Sequence, residues 1–314
     1  MVLINLLIIS KNLSNGMLLS VLIPTYNNSA TIRRSIESAI NQDYRTGYEI
    51  VVSDDASTDN TLEIVRGYKD DRIKIVTNKE RVSIFDNHRI LLEEAQGDYV
   101  IFLHADDELL PEALSIISRK LKERDYPRRY ILWGHSLFGD VGEWISGYHS
   151  MLQFNQMFSG VLAKRLMLAN FAPQPTGTIY SRASLMEIDG IWGGDTCSDW
   201  GICAWAAYNC FEFEMSERIW LKRTDSGTWK KYSSEEKKRQ TYLHCEGVWN
   251  KCALINQEND IVSQYEHYDI AFWDNFFFER GTKNEKLEIC KKQIKRNPRN
   301  VRKWVKYLWV MLRY

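Results

Sequence analysis

Two adjacent carboxylates, Asp106 and Asp107, close the apolar run IFLHADDELLP, and a second adjacent pair, Asp54 and Asp55, closes the run EIVVSDD. Two like charges about 4 Å apart repel by roughly 4 kcal/mol at an effective dielectric of about 20. A divalent cation removes that cost. Mg²⁺ or Mn²⁺ takes one or two carboxylates and completes its shell with water and phosphate oxygens. Asp106-Asp107 therefore reads as a site for a cation and a diphosphate. The alternative is a helix N-cap, which accounts for one aspartate and leaves the second unexplained. In Asp54-Asp55 one carboxylate could accept a hydrogen bond from a base or ribose, or Asp55 or Ser57 could cap the following helix. Tyr26 offers a stacking face for a base, worth roughly 1–3 kcal/mol, and could equally be a rim residue. No GxGxxG or GxxxxGK[ST] is present, which argues against a dinucleotide cofactor and a P-loop.

The elements that must position these residues follow from hydrophobic periodicity. Leu19–Pro24, Tyr48–Ser53, Arg72–Val76 and Tyr99–Leu103 are short apolar runs that read as buried strands. Between them lie helical stripes: Ile32, Ile36, Ala39 and Ile40, capped by Asn28 or Ser29; Leu62, Val65 and Tyr68; and Ile84, His88, Leu91, Leu92 and Ala95, stopped by Gly97. Pro111 suits a first turn, and Leu114, Ile117 and Leu121 continue that helix. Strand and helix thus alternate, which implies a mainly parallel, Rossmann-like α/β sheet flanked by helices. Ligands of such sheets bind beyond the carboxyl ends of the strands. Thr25-Tyr26-Asn27, Asp54-Asp55 and Asp106-Asp107 all fall there. Further on, Tyr130–Phe138 and Thr176–Ser181 read as strands, and Met151–Asn170 and Asp199–Phe211 as helices.

Bulk properties set outer bounds. The 314 residues are 44% hydrophobic, 26% charged and neutral overall, a soluble globular composition. From Lys283 to Tyr314, eleven Lys and Arg stand against two Glu, a net of +9, so the rest carries −9. The closing stretch RKWVKYLWVMLRY sets Trp and Leu opposite Lys and Arg, the composition of an interfacial helix. It reads as a membrane-surface contact, with a helix docked on the acidic body as the alternative. No nucleic-acid motif accompanies the basic run. Cys197, Cys203, Cys210, Cys245, Cys252 and Cys290 form no CxxC pair and have no His at zinc-finger spacing. They read as reduced thiols of a cytosolic protein, the first three buried. MVLINLLII lacks a basic n-region and is too short to span a bilayer. Residues 1–16 are therefore set aside as an appendage or mis-assigned start.

PTYN (Pro24–Asn27), SDDASTDNT (Ser53–Thr61) and GDYVIFLHADDELLP (Gly97–Pro111) stand in an order and at a spacing that together resemble the nucleotide-binding half of family 2 glycosyltransferases. The resemblance covers Leu19 to Leu121. It implies the GT-A fold with a helical C-terminal extension, a nucleotide-sugar donor (usually a UDP-sugar), Mg²⁺ or Mn²⁺, and transfer with inversion. On that basis Pro24, Tyr26, Asn27, Asp54, Asp55 and Asp106 are nucleotide-binding, with Tyr26 near the uracil, Asp55 on the base and Asp106 near the ribose and donor sugar. Asp107 is the metal ligand. The sequence departs from the family's L-D-x-D-D in having His104 where the first Asp stands.

GGDTCSDWGICAWAA (Gly193–Ala207) is similar to the family segment that carries the general base. Asp199 aligns there, with Asp195 as runner-up and a helix cap as the alternative. A placed carboxylate contributes roughly 10²–10⁴-fold. LKRTDSGTW (Leu221–Trp229) resembles the segment that closes over the donor, with Asp225 in place of the usual His and Arg223 available to the diphosphate. The resulting expectation is a GT-A domain over 17–280, comprising a nucleotide-binding half (17–121) and an acceptor half (122–280), followed by a basic amphipathic tail over 281–314. The expected activity is sugar transfer to a glycan or lipid-linked acceptor in bacterial surface-polysaccharide synthesis, at the cytoplasmic face of the inner membrane. A sugar nucleotidyltransferase lacks support, since no Gly/Arg-rich loop follows the first strand. A non-catalytic nucleotide-sugar-binding or scaffolding protein is the other alternative.

Overall fold

The computed structural model describes residues 18–44, 47–138, 143–144, 155, 157–160, 163, 173, 175–187, 198–224, 283–296 and 301–313. The chain divides into two compact units, Met1–Met167 with Phe171–Cys252, and Leu168–Asn170 with Ala253–Tyr314. The first unit is built on a mixed sheet. Its leading elements are β1 (Leu19–Thr25), α1 (Ile32–Ile40), β2 (Tyr48–Asp54), α2 (Thr61–Arg66), β3 (Ile73–Thr77), α3 (Ile84–Glu94) and β4 (Tyr99–Phe102). Next come β5 (Glu108–Leu109), α4 (Ala113–Glu123), β6 (Tyr130–Phe138), β7 (Glu143–Trp144) and β8 (Met157–Phe158). They are followed by β9 (Ile179–Ser181), α5 (Arg182–Leu185), α6 (Ser198–Tyr208) and β10 (Glu212–Arg223). The sheet order is β3-β2-β1-β4-β9-β6-β10-β5, with β7 on β6 and β8 on β10.

The expected parallel core is present. β1 pairs in parallel with β2 and β4, and β2 with β3. Every residue of β1 is buried, as expected of a strand covered on both faces. Register sets the strand ends level: Thr25 lies opposite Asp54, and Asp54 opposite Thr77. Ile32, Ile36 and Ala39 of α1 are buried as anticipated, whereas of the second stripe only Val65 is buried: Leu62 and Tyr68 are half-buried, and Tyr68 lies beyond the end of α2. α3 begins with a serine N-cap in which the Asp86 N–H donates to Ser83 Oγ at 3.1 Å and Ser83 Oγ donates to Asp86 Oδ2 at 2.7 Å. Gly97 serves close approach rather than a left-handed cap: a Cβ there would stand 2.4 Å from Ser20 Oγ and 2.8 Å from Ser20 N.

Several expectations need correction. Ile84, read as part of the buried stripe of α3, is exposed, and Phe85 and Asn87 are buried instead. Asn28 and Ser29 do not cap α1, whose N-cap is Thr31. The helix read over Met151–Asn170 contains β8 at Met157–Phe158, which adds antiparallel to β10. Sheet pairing outweighs a helix-period pattern at that point. Cys203 is buried as expected, but Cys210 is exposed: it takes a left-handed φ of 57° as the chain leaves α6. β10, a twelve-residue strand, was not read from the sequence. Its run EFEMSERIWLKR is broken by charge, and the partners of Glu214 are the reason it can be buried. Glu214 Oε2 accepts from Arg124 Nε at 2.7 Å and from Tyr130 OH at 2.5 Å, and Oε1 from Lys120 Nζ at 3.2 Å.

In the second unit, α7 (Lys283–Arg296) buries Cys290 and Ile294, and α8 (Val301–Arg313) buries Val310. Val301, Trp304, Val305, Leu308, Trp309, Met311 and Leu312 are exposed, Leu312 by 87%. No helix among the described residues is long and apolar enough to cross a membrane.

Candidate active site

Three loops leave the carboxyl edge of the parallel strands and are laced together. After β1, the Tyr26 N–H and Thr25 Oγ1 donate to Asn28 Oδ1 at 3.0 and 3.1 Å. Asn27, at φ 51°, reaches the next loop: its N–H donates to Ser57 Oγ at 2.9 Å and its Oδ1 accepts from the Thr58 N–H at 2.8 Å. Asp59 ties the same two loops, accepting from the Ser29 N–H at 3.1 Å and the Thr61 N–H at 2.9 Å. Slight burial would raise its carboxyl, but the hydrogen bonds from Thr61 and Ser29 hold it down at about 2. The acidic and hydroxylic residues of SDDASTDNT are thus spent largely on loop geometry, and Asn27 braces that geometry too.

The first acidic pair separates by face. Asp55 caps no helix: α2 starts at Thr61, with Asn60 as its N-cap. Asp55 is buried, and its Oδ1 accepts from Asn78 Nδ2 at 2.9 Å and from the Val82 N–H at 2.8 Å. Asp54 is 1% exposed; its Oδ2 accepts from the Ser57 N–H at 3.0 Å, while Oδ1 has no hydrogen-bond partner. Such an orphaned buried acceptor costs about 1–3 kcal/mol until a donor reaches it. Pro24 is buried in β1 opposite Ser53. The Tyr26 ring is half-buried and carries the Arg81 guanidinium over one face, 4.2 Å from the centroid. Arg81 and Asn78 were missed because no pattern marks the loop after β3.

The second acidic pair is no N-cap either. Asp106 and Asp107 occupy a turn closed by the Asp107 N–H donating to the His104 carbonyl at 3.0 Å, and α4 begins only at Ala113. Ser35 Oγ donates to the Asp107 carbonyl at 2.6 Å, fastening the turn to α1. Asp107 is 3% exposed and its Oδ1 accepts from the Thr224 N–H at 3.0 Å. Burial raises its carboxyl above the ordinary range; His104, Thr224 and Arg223 oppose that rise and Asp106 adds to it. Arg34 spans the junction, with Nη2 donating to the Asp106 carbonyl at 3.1 Å and to Thr224 Oγ1 at 2.9 Å, and Nε 3.3 Å from Glu108 Oε1. The short antiparallel pairing of β5 with β10 aligns this junction: Leu109 faces Leu221 and Glu108 faces Lys222. Sequence separation hid that partnership.

One imidazole completes the cluster. A ring nitrogen of His104 and carboxylate oxygens of Asp106 and Asp107 lie within 4.8 Å of one another. Two carboxylates and an imidazole form a donor set that suits a divalent cation. Behind His104 stands His88, 2% exposed, its Nε2 3.3 Å from His104 Nε2 and its Nδ1 2.5 Å from the Ile84 carbonyl. Burial, and then the neighbouring His104, push His88 down to about 3 against the pull of the Ile84 hydrogen bond.

Asp199 stands in the first turn of α6, which begins at Ser198. Its side chain, together with Asp195 and Asp225, lies outside the described residues. The structure therefore brings together Tyr26, Asn27, Asp54 and Asp55 as one group, and Asp106, Asp107 and Arg223 as another.

A sheet of order 3-2-1-4 with acidic pairs at its carboxyl edge defines a doubly wound α/β protein, a class whose ligands bind beyond the strand ends. The model of glycosyl transferase family 2 matches residues 20–188, more than half of the chain, and the chain belongs to that family. It is 41% identical over 108 residues to a GalNAc(5)-diNAcBac-PP-undecaprenol beta-1,3-glucosyltransferase of Campylobacter jejuni, covering 33% of this chain and 35% of the relative. It is 37% identical over 106 residues to the Escherichia coli glucosyltransferase WfgD, which uses UDP-Glc and alpha-D-GlcNAc-diphosphoundecaprenol, covering 33% and 42%. The chain thus spans about a third to two fifths of the length of these two relatives. The crystal structure of S. aureus TarS residues 1–349 with UDP-GlcNAc shares the fold, with a TM-score of 0.66 at 20% identity over 88% of this chain and 79% of that one.

Proposed function

We propose that this protein is an inverting glycosyltransferase. It moves a sugar from a nucleotide sugar, a UDP-sugar, to a hydroxyl of a glycan or lipid-linked acceptor in bacterial surface-polysaccharide synthesis. The observation that carries the reading is the turn at the carboxyl edge: His104, Asp106 and Asp107 converge within 4.8 Å, level with a second, deeply held acidic pair. In this reading Asp54 and Asp55 receive the base and ribose, and the orphaned Asp54 Oδ1 finds its donor there. Tyr26 presents its ring to the base, with Arg81 moving aside or stacking with it. Asp107, with Asp106 beside it, holds Mg²⁺ or Mn²⁺, and Arg223 faces the diphosphate. A bound cation of this kind acts as a Lewis acid toward the leaving diphosphate. Asp199 takes the acceptor proton. The names of the undecaprenol-dependent relatives support a lipid-linked acceptor.

The exposed apolar residues of α8 suit this acceptor. Trp and Leu side chains beside a basic run bind an anionic membrane surface, with each basic residue contributing about 1 kcal/mol there. The domain plan that goes with this reading is a glycosyltransferase domain over 17–280 and a membrane-contacting tail over 281–314. The site then works at the cytoplasmic face of the membrane as a peripheral protein.

The test is calorimetric titration of UDP into the purified chain with Mn²⁺ and then with EDTA. Binding should require the metal, and Asp107→Ala should abolish it while circular dichroism stays unchanged. Equal UDP affinity in EDTA, or in Asp107→Ala with Mn²⁺, sinks the metal assignment.

A further inference from the structure

His104 departs from the acidic residue usual at its position, and it does not stand alone. The Ile84 carbonyl can only accept, so His88 Nδ1, 2.5 Å away, carries the ring proton. His88 lies inside helix α3 at 2% exposure, against the Phe102 ring at 4.7 Å and the Phe85 ring at 5.8 Å. In that apolar setting the neutral ring is favoured, and its Nε2 is an acceptor. The group 3.3 Å from that acceptor is His104 Nε2, which must therefore be the donor. The ring centroids lie 5.5 Å apart, about 2 Å more than the nitrogen–nitrogen distance, so the two rings meet nitrogen end to nitrogen end, an approach that lets one N–H point at the other's in-plane lone pair with the planes at 86°. A neutral His104 with its proton on Nε2 carries its remaining lone pair on Nδ1. The carboxylates of Asp106 and Asp107 complete the cluster.

Metal-binding histidines commonly have outer support of this kind, with one nitrogen for the ion and the other held by a buried acceptor that fixes tautomer and ring orientation. We propose that His104 is a nitrogen ligand of the divalent cation, that His88 is its positioning residue, and that the pair tunes the site toward Mn²⁺ over Mg²⁺. The proposal rests on the metal–nucleotide reading above. Its chemical basis is donor softness. Mg²⁺ favours all-oxygen shells, whereas imidazole raises affinity for the first-row transition ions.

The experiment is pulsed electron paramagnetic resonance of Mn²⁺ on the full chain with UDP, alongside titrations with Mn²⁺ and Mg²⁺. Directly coordinated ¹⁴N should appear in the wild type, and Mn²⁺ should bind at least about tenfold more tightly than Mg²⁺. His104→Asp should lose the nitrogen signal, keep Mn²⁺ and narrow the gap between the ions. His88→Leu should weaken Mn²⁺ by about 10–100-fold and diminish the nitrogen coupling. His88→Gln, which retains an acceptor, should stay within a few-fold of wild type. Mn²⁺ bound with UDP but without nitrogen coupling overturns the inference and leaves the metal–nucleotide reading intact. Failure of Mn²⁺ to bind at all overturns both. Wild-type coupling and affinity in His88→Leu remove His88 from the proposal. The wild-type spectrum decides the ligand question even if a His88 variant does not fold.

Discussion

The first half of the sheet, from β1 to β4, and the half that follows it reach one edge by different physics. In the first half the central strands β1, β2 and β4 are parallel and almost wholly buried, with their polar residues at or next to the ends, while the parallel edge strand β3 is half-buried and carries Lys74. From Tyr130 to Arg223 the sheet is mixed, its strands are irregular, and charge is taken inside. β10 shifts register against β6 between Met215 and Ile219 and again before Leu221, and it buries Glu214 completely. The first half supplies the clustered acidic side chains. The second supplies backbone, most clearly the Thr224 N–H on Asp107. A site whose two sides differ so much should respond differently to substitution on each.

The largest contrast is expected in catalysis. Asp199→Asn should lower turnover by about 10²–10⁴-fold while UDP still binds as in the wild type. Full turnover in that variant moves the base elsewhere and weakens the division of labour between the halves.

Next comes stability. Glu214→Ala strands Lys120 and Arg124 beside Tyr130 and should cost about 3–5 kcal/mol in denaturant unfolding. The pH dependence has a definite sign. Burial would raise the Glu214 carboxyl, but hydrogen bonds from Arg124 and Tyr130 and the charge of Lys120 bring it below its ordinary value. A depressed folded pKa contributes stability that is present above the unfolded value of about 4.3 and is lost as pH falls through the folded one. The wild type should therefore lose stability below about pH 4 more steeply than Glu214→Gln. Parallel curves for the two proteins count against a charged Glu214 as the organiser of the second half.

In the first half the comparable weakness is steric. Gly97→Ala forces a methyl against the Ser20 backbone and should cost about 1–3 kcal/mol, with no pH dependence of its own. The smallest effect is at the junction. Arg34 is 44% exposed, so Arg34→Met should lower stability by no more than about 1 kcal/mol. Because Arg34 holds Thr224 against the Asp106 turn, UDP affinity in Mn²⁺ should still fall severalfold. Unchanged affinity would mean that the junction aligns without it.

The difference between the halves also explains what could be read in advance. The sequence by itself determined the parallel core, because a strand buried on both faces must be continuously apolar and a covering helix must repeat near 3.6. It determined the two acidic pairs and their position at strand ends for the same reason. Only tertiary structure decided that Asp59, Asn27 and Thr61 brace loops, since a carboxylate that holds a backbone looks the same in sequence as one that holds a ligand. It decided that a strand as charged as β10 enters the sheet, because its buried glutamate is matched by Lys120 and Arg124, some ninety residues earlier. And it decided that His88 stands behind His104. Those two residues are sixteen apart on different elements, and only the packing of α3 against the end of β4 brings their nitrogens within hydrogen-bonding distance.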